Sequence, residues 1–236
     1  MDPYSQALLN FHKGIQPDIF EIKRDDGYSS VIPISIFFDD QNFSEIEVCA
    51  LRSSNGKILD IGAGAGRHSS ELQRRGFDVA ALDKSEQAIN IMMERGISKT
   101  KFLDILELTG EKYDTLLLLM NGIGMVGDAK ELDYFLNHIH KLLNVGGALI
   151  VDSIDVLKTN EPLHVSYREQ NILNHNYPGQ QNLQIHYNGE SGKWFKWLHL
   201  TYEELSVHAS KNNFLCSLLT KDESGHYLAK LQVQND

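Results

Sequence analysis

The chain has 236 residues, enough for one sizeable core and hardly enough for two full domains. Hydrophobic residues make up 42% and charged residues 23%, an ordinary globular composition. Net charge is −10, from 22 Lys and Arg against 32 Asp and Glu, with no long basic run, which argues against a nucleic-acid partner.

Residues 1–52 precede the first strong strand pattern and end in a helix, "SEIEVCALRS", opened by a capping-box pair, Ser44 and Glu47. From Lys57 onward, short apolar runs alternate with amphipathic segments. "KILDI" reads as a strand buried on both faces, and "RHSSELQRRG" as a helix closed by Gly76. "DVAAL" is the next strand; "SEQAINIMMERG" is a helix with Ser85 as N-cap and Gly96 as its stop. "KFLDI" and "YDTLLLLM" follow as a short and a strong strand. In "DAKELDYFLNHIHKLLNVGG", Leu132, Phe135, Leu136, Ile139, Leu142 and Leu143 recur at helical spacing. An Asp128–Glu131 pair precedes them, placed like a capping box.

"ALIVDS" is the fifth strand. Residues 153–200 then hold "NLQIHYNGESGKWFKWLHL", which reads as a hairpin turning at Asn188–Gly192. Thr201–Glu204 opens a last helix, and "FLCSLL" and "HYLAKLQV" flank the turn "KDESG" as an antiparallel hairpin. Strands buried on both faces and joined by helices imply an α/β, doubly wound, mostly parallel sheet, closed here by an antiparallel C-terminal strand.

The two cysteines, Cys49 and Cys216, lie in apolar stretches without metal-like spacing, so buried free thiols are expected and no metal site. "MDPYSQALLNFHKG" lacks the basic start and apolar core of a signal peptide. The longest apolar run, Leu116 to Met120, is far too short to span a bilayer. A cytoplasmic chain with no membrane partner, monomeric or homodimeric, is the expectation.

"ILDIGAGAGRHSSEL" carries the chemistry. In a doubly wound sheet the loop after the first strand is a ligand site, and glycines there allow positive φ and close approach to the backbone. A tight turn needs one glycine; this loop has three at alternate positions. A phosphate-cradling loop requires Lys and then Ser or Thr after its last glycine, and Gly66-Arg67-His68 stands there instead. A dinucleotide fingerprint requires a small residue at position 67, which is Arg.

An adenosyl cofactor without phosphates remains. Here "LDIGAGAGRH" resembles the first motif of the class I S-adenosylmethionine-dependent methyltransferases, and the resemblance extends over most of residues 57–152. It implies a Rossmann-like sheet of seven strands, and S-adenosyl-L-methionine as cofactor with S-adenosyl-L-homocysteine as product. It implies that Gly62, Gly64 and Gly66 let the loop pass under the methionine and ribose parts, with Asp60 orienting the loop. It places Asp83, at the end of "VAALDKS", on the ribose hydroxyls. Asp104 and Ile105, in "KFLDIL", fall at the adenine amino group. Asn121 and Gly122, in "MNGIGMVGD", fall beside the methionine part and the transferable methyl. Ala63, His68 and Lys84 complete the expected cofactor contacts. Asp104 reads alternatively as a helix N-cap, and Asn121 as a plain turn residue.

The pattern divides the chain into an N-terminal helical cover, residues 1–52, and an α/β domain, residues 53–236, that the resemblance makes the cofactor-binding one, with an inserted hairpin cover at about 153–200. The Pro-Pro-aromatic run of base and protein amine methylases is missing after Asn121, which points away from nucleic acid and toward a small-molecule acceptor methylated at oxygen or nitrogen. Tyr28, Phe38, Met125, Trp194 and Trp197 are the candidate acceptor-binding residues, with packing of the cover as the alternative role. No catalytic base is identified. Two other readings stay open: a nicotinamide-dependent oxidoreductase, and a non-catalytic protein that binds S-adenosylmethionine.

Overall fold

A computed structural model describes residues 1–234. The chain runs through α1 (Pro3–His12), β1 (Ile19–Arg24), β2 (Ser29–Pro33), α2 (Glu45–Ser53), β3 (Lys57–Ile61), α3 (Arg67–Arg74) and β4 (Asp78–Asp83). It continues through α4 (Glu86–Glu94), β5 (Thr100–Phe102), β6 (Tyr113–Leu118), α5 (Leu132–Lys141), β7 (Leu143–Ile154) and α6 (Pro162–Leu173). Strands β8 (Gln180–Tyr187), β9 (Glu190–Ser191) and β10 (Phe195–Leu198), helix α7 (Tyr202–Lys211), and strands β11 (Phe214–Lys221) and β12 (His226–Val233) complete it.

Seven strands form the main sheet in the order β11-β12-β7-β6-β3-β4-β5. Its β4–β5 and β6–β7 pairs are parallel, whereas β12 runs antiparallel to both β7 and β11. This is the doubly wound sheet the sequence predicts. The order reverses at β3, and that is where ligands of such sheets bind. Ile58, Leu59, Leu116, Leu117, Leu149, Ile150 and Val151 are all 1% exposed or less. That explains the continuous apolar runs, because parallel strands are covered on both faces.

The local signals hold where they are strongest. Ser44 accepts from the Glu47 N–H while Glu47 reaches back to the Ser44 N–H, a complete capping box. Ser85 and Thr201 cap α4 and α7 as expected. The Asp128–Glu131 pair behaves differently. Asp128 accepts from Lys130 N–H and from Lys196 Nζ, and it caps a single 3-10 turn, Ala129–Glu131; α5 begins one residue later without a side-chain cap. The ion pair with Lys196 draws the Asp128 carboxylate away from the reciprocal arrangement.

Two parts of the fold depart from the helical cover and the single inserted hairpin that the pattern predicts. Residues 1–52 contain β1 and β2 as well as helices, and residues 153–200 contain α6. Strands β1 and β2 join β8, β9 and β10 in a second, five-stranded sheet. Its inward face includes Arg24, 3% exposed and paired with Asp26, so a charge interrupts the apolar alternation that would reveal β1. Helix α6 buries none of its side chains and therefore has no apolar stripe to read. Cys49 and Cys216 are free and half-buried, not fully buried as expected.

The chain divides into two compact units. Met1–Phe43, Asp60–Glu107 and Asn182–Phe195 form the first; Ser44–Leu59, Leu108–Gln181 and Lys196–Asp236 form the second. Among the described residues no helix is long and apolar enough to cross a membrane.

Candidate functional site

In the first unit, Asp60 and Ile61, the last residues of β3, lead into the glycine loop. Asp60 is 2% exposed and accepts the Ser69 hydroxyl at 2.6 Å, tying the strand end to α3. Gly62 N–H and Ala63 N–H both donate to the Leu82 carbonyl, at 2.8 and 3.0 Å. All three loop glycines have left-handed backbone, Gly62 with φ +69°. Gly64 has φ +58°, and a Cβ there would meet the Tyr4 hydroxyl at 3.4 Å; Gly66 has φ +80°, and a Cβ there would lie 2.9 Å from Met92.

Asp83, at the end of β4, organises this loop. One carboxylate oxygen accepts Gly64 N–H at 2.9 Å and the other accepts Ser85 N–H at 2.8 Å. Burial pushes the Asp83 carboxyl above its usual range, against the pull of those two N–H groups. Helix α1 lies over the same place. Ser5 shares a 2.8 Å hydroxyl contact with Ser85. Burial, then the charges of Asp83 and Asp2, raise the Tyr4 phenol, so it stays protonated. Ala65 packs with Ala7, Leu8, Phe20, Ile34, Ile91 and Tyr187 in one apolar cluster.

Two arginines join the loop to residues 36–43. Arg67, buried at 6% exposure, donates to the Ile36 carbonyl and to the Asn42 carbonyl and lies over the Phe43 ring. Arg95 donates to the Ala65 carbonyl at 3.0 Å, the Phe38 carbonyl at 2.7 Å and Asp40 at 3.2 Å. His68 is buried and stacks on Phe43, with ring centroids 5.8 Å apart. Asp104 accepts Leu106 N–H at 3.0 Å, the capping alternative raised by the sequence, beside buried Ile105. Lys84 is exposed.

The second unit holds the loop after β6. Met120 and Asn121 both adopt left-handed backbone, φ +62° and +58°. Asn121 N–H donates to Asp152 on β7 at 2.8 Å, and the other Asp152 oxygen pairs with His226 Nε2 at 2.7 Å. Gly122 is buried beside Leu118. The Trp197 indole occupies the place where a Cβ on Gly124 would stand, next to half-exposed Met125. The hydrogen bond that His226 donates to the Asp152 carboxylate raises its imidazole, whereas burial holds His199 down at about 4. The side-chain oxygen of Asn121 and Nδ1 of His199 are buried without hydrogen-bond partners among the described residues.

The sequence-derived residues therefore fall in two groups. Asp60, Gly62, Ala63, Gly64, Gly66, His68 and Asp83 gather around the glycine loop; Asn121, Gly122, Met125 and Trp197 gather on the loop after β6. Tyr28 and Phe38 make ring contacts within the cover. Tyr28 lies 4.9 Å beneath Arg24, and Phe38 packs on Phe11, with centroids 4.8 Å apart. Trp194 is 48% exposed. Tyr4 and Ser5 escape notice in the sequence because α1 carries no motif. Asp152 has a signal in hindsight: it is a carboxylate inside "ALIVDS", an otherwise apolar buried run.

The fold and the ordered loop define the class I S-adenosylmethionine-dependent methyltransferases, the class that the sequence resembles. A solved methyltransferase of this type from Bacteroides fragilis, in complex with S-adenosyl-L-homocysteine, is 28% identical with a TM-score of 0.86, covering 98% of this chain and 94% of that one. The family model described as tellurite resistance protein TehB matches residues 35–204, and the chain belongs to that family.

A ubiquinone biosynthesis O-methyltransferase of Rhizobium johnstonii is 26% identical over 140 residues, 56% of this chain and 54% of that protein. A glycine/sarcosine N-methyltransferase of Halorhodospira halochloris is 28% identical over 104 residues, 41% and 39%. The chain thus spans about half the length or less of these curated relatives.

Proposed function

We propose that the protein transfers a methyl group from S-adenosylmethionine to a small-molecule acceptor at oxygen or nitrogen. One observation carries the reading: the Asp83 carboxylate anchors Gly64 N–H in a left-handed glycine loop whose two neighbouring arginines, Arg67 and Arg95, are engaged elsewhere. Arg67 and Arg95 point their guanidinium groups at main-chain carbonyls, so neither arginine is turned toward a pyrophosphate at the loop. The bare backbone and an acidic rim suit an adenosyl group, whose ribose hydroxyls donate to a carboxylate. The cofactor supplies an electrophilic methyl on a positive sulfur.

On this reading Asp83 holds the ribose hydroxyls, and Asp104 and Ile105 the adenine edge. The glycines admit the methionine part, and Asn121 and Gly122 border the reacting end. The chain's remaining task is to hold the acceptor in line and exclude water. The relatives' names support both acceptor chemistries, one at oxygen and one at nitrogen, and the family's name raises a tellurium oxyanion as a third. A nicotinamide reading is weakened by Arg67, whose buried side chain fills the position where a dinucleotide loop packs a small residue.

The experiment is methyl transfer from methyl-labelled S-adenosylmethionine to a panel of hydroxyl, amine and tellurite acceptors. Label on one acceptor class, with S-adenosylhomocysteine released in equal amount, supports the reading. Tight cofactor binding with no transfer across the panel favours a binding protein. Binding of a nicotinamide dinucleotide in its place would sink it.

A further inference from the structure

We propose that Asp152, held by His226, is a positioning residue that fixes Asn121 in its left-handed conformation, so that the Asn121 side-chain oxygen accepts a hydrogen bond from the bound ligand. The inference rests on the methyltransferase reading and adds residues to it.

Two consecutive non-glycine residues with positive φ, Met120 and Asn121, are strained, and such strain persists only where the surroundings over-determine it. Asn adopts this conformation more readily than Met does. The restraint is visible. Asp152 is 1% exposed and takes Asn121 N–H at 2.8 Å. A buried carboxylate needs a second partner, and His226 Nε2 supplies it at 2.7 Å. The result of the arrangement is a buried Asn121 side-chain oxygen with no hydrogen-bond partner among the described residues. An acceptor kept that way is costly to folding, and a donor on a ligand would explain it. The ligand group must therefore be an N–H or O–H: an amine or ammonium, or a hydroxyl. Asp222, Glu47 and His199 are the other titratable groups that act on His226.

The test is calorimetric titration with S-adenosylhomocysteine of the intact protein and of Asn121→Ala, Asp152→Ala, Asp152→Asn, His226→Gln and the Asn121→Ala/Asp152→Ala double variant, each also melted thermally. Loss of one hydrogen bond to a charged group predicts about tenfold weaker binding for Asp152→Ala. The double variant should bind no more weakly than its worse single parent, because both changes remove the same contact. Asp152→Asn, which keeps an oxygen toward Asn121 N–H, should restore most of the affinity.

Wild-type affinity in a folded Asp152→Ala, or losses that simply add in the double variant, would overturn the positioning role alone. No heat from the unaltered protein would overturn the cofactor reading and this role with it. Should Asp152→Ala fail to fold, His226→Gln decides. Weaker binding supports the pair, and a lower melting temperature with unchanged affinity overturns it.

Discussion

The Gly64 amide donates to the Asp83 carboxylate at 2.9 Å, joining two motifs 19 residues apart in the chain. Strand β3 leads into the glycines and the neighbouring strand β4 ends in the acid, and this hydrogen bond is where the two meet. The same carboxylate then takes Ser85 N–H, which starts α4. A single side chain thus fixes the loop and the following helix, and its loss should be felt in both binding and stability.

Asp83→Ala should weaken S-adenosylhomocysteine binding by about 1–3 kcal/mol, the range for hydrogen bonds to a charged group. It should also lower the melting temperature, because two N–H groups lose their acceptor. Calorimetry and thermal melting read the two effects separately. An unchanged dissociation constant would remove Asp83 from the ribose.

Gly64→Val places a β-branched residue at φ +58°, with its Cβ 3.4 Å from the Tyr4 hydroxyl. Left-handed backbone costs an ordinary L-residue roughly 1–2 kcal/mol. Binding should fall below detection while far-ultraviolet circular dichroism keeps its folded form. Retained affinity would mean that the loop does not meet the ligand.

Arg95→Met keeps an apolar stem but removes the donors to the Ala65 and Phe38 carbonyls and to Asp40. A loss of about 1–3 kcal/mol in urea unfolding is expected for the abandoned acceptors. Limited proteolysis should cut near residues 36–43 sooner than in the unaltered chain. Equal stability and equal cleavage would show that Arg95 does not fasten this segment.

The two histidines near Asp152 make opposite pH contributions. His226 is raised from 6.5 by the Asp152 hydrogen bond, so its stabilisation is complete below about 6.5 and is lost as pH rises through the higher folded value. His199 is lowered from 6.5 to about 4 by burial, so its folded form resists charging and stability falls as pH drops from about 6.5 toward 4. Urea unfolding of His226→Gln should therefore differ from the unaltered protein most at mildly acidic pH and least at alkaline pH. His199→Gln should relieve instability only on the acidic side. A pH-independent difference for either variant would contradict the assignment.

Much of this was legible beforehand, for reasons particular to each element. Strands β3, β6 and β7 are buried on both faces, and their runs are long enough to stand out. Gly64, Gly66 and Asp83 are legible because backbone geometry and a buried acid leave few residue choices. The cover is another matter. Strand β1 carries Arg24 inward, α6 shows no apolar stripe, and α1 reaches the loop through Tyr4 and Ser5, residue types that elsewhere mean nothing. His226 and Asp152 lie 74 residues apart, and only the β7–β12 ladder brings them together. Local sequence reports local structure well; a pair made by a long-range ladder leaves almost no trace in it.

Crystallography of the protein soaked with S-adenosylhomocysteine tests the central claim most directly. The account predicts nucleoside density with its ribose hydroxyls on Asp83 and its thioether chain along Gly62 to Gly66. Density for that ligand anywhere else, or a fully ordered glycine loop that excludes it at saturating concentration, would contradict the account.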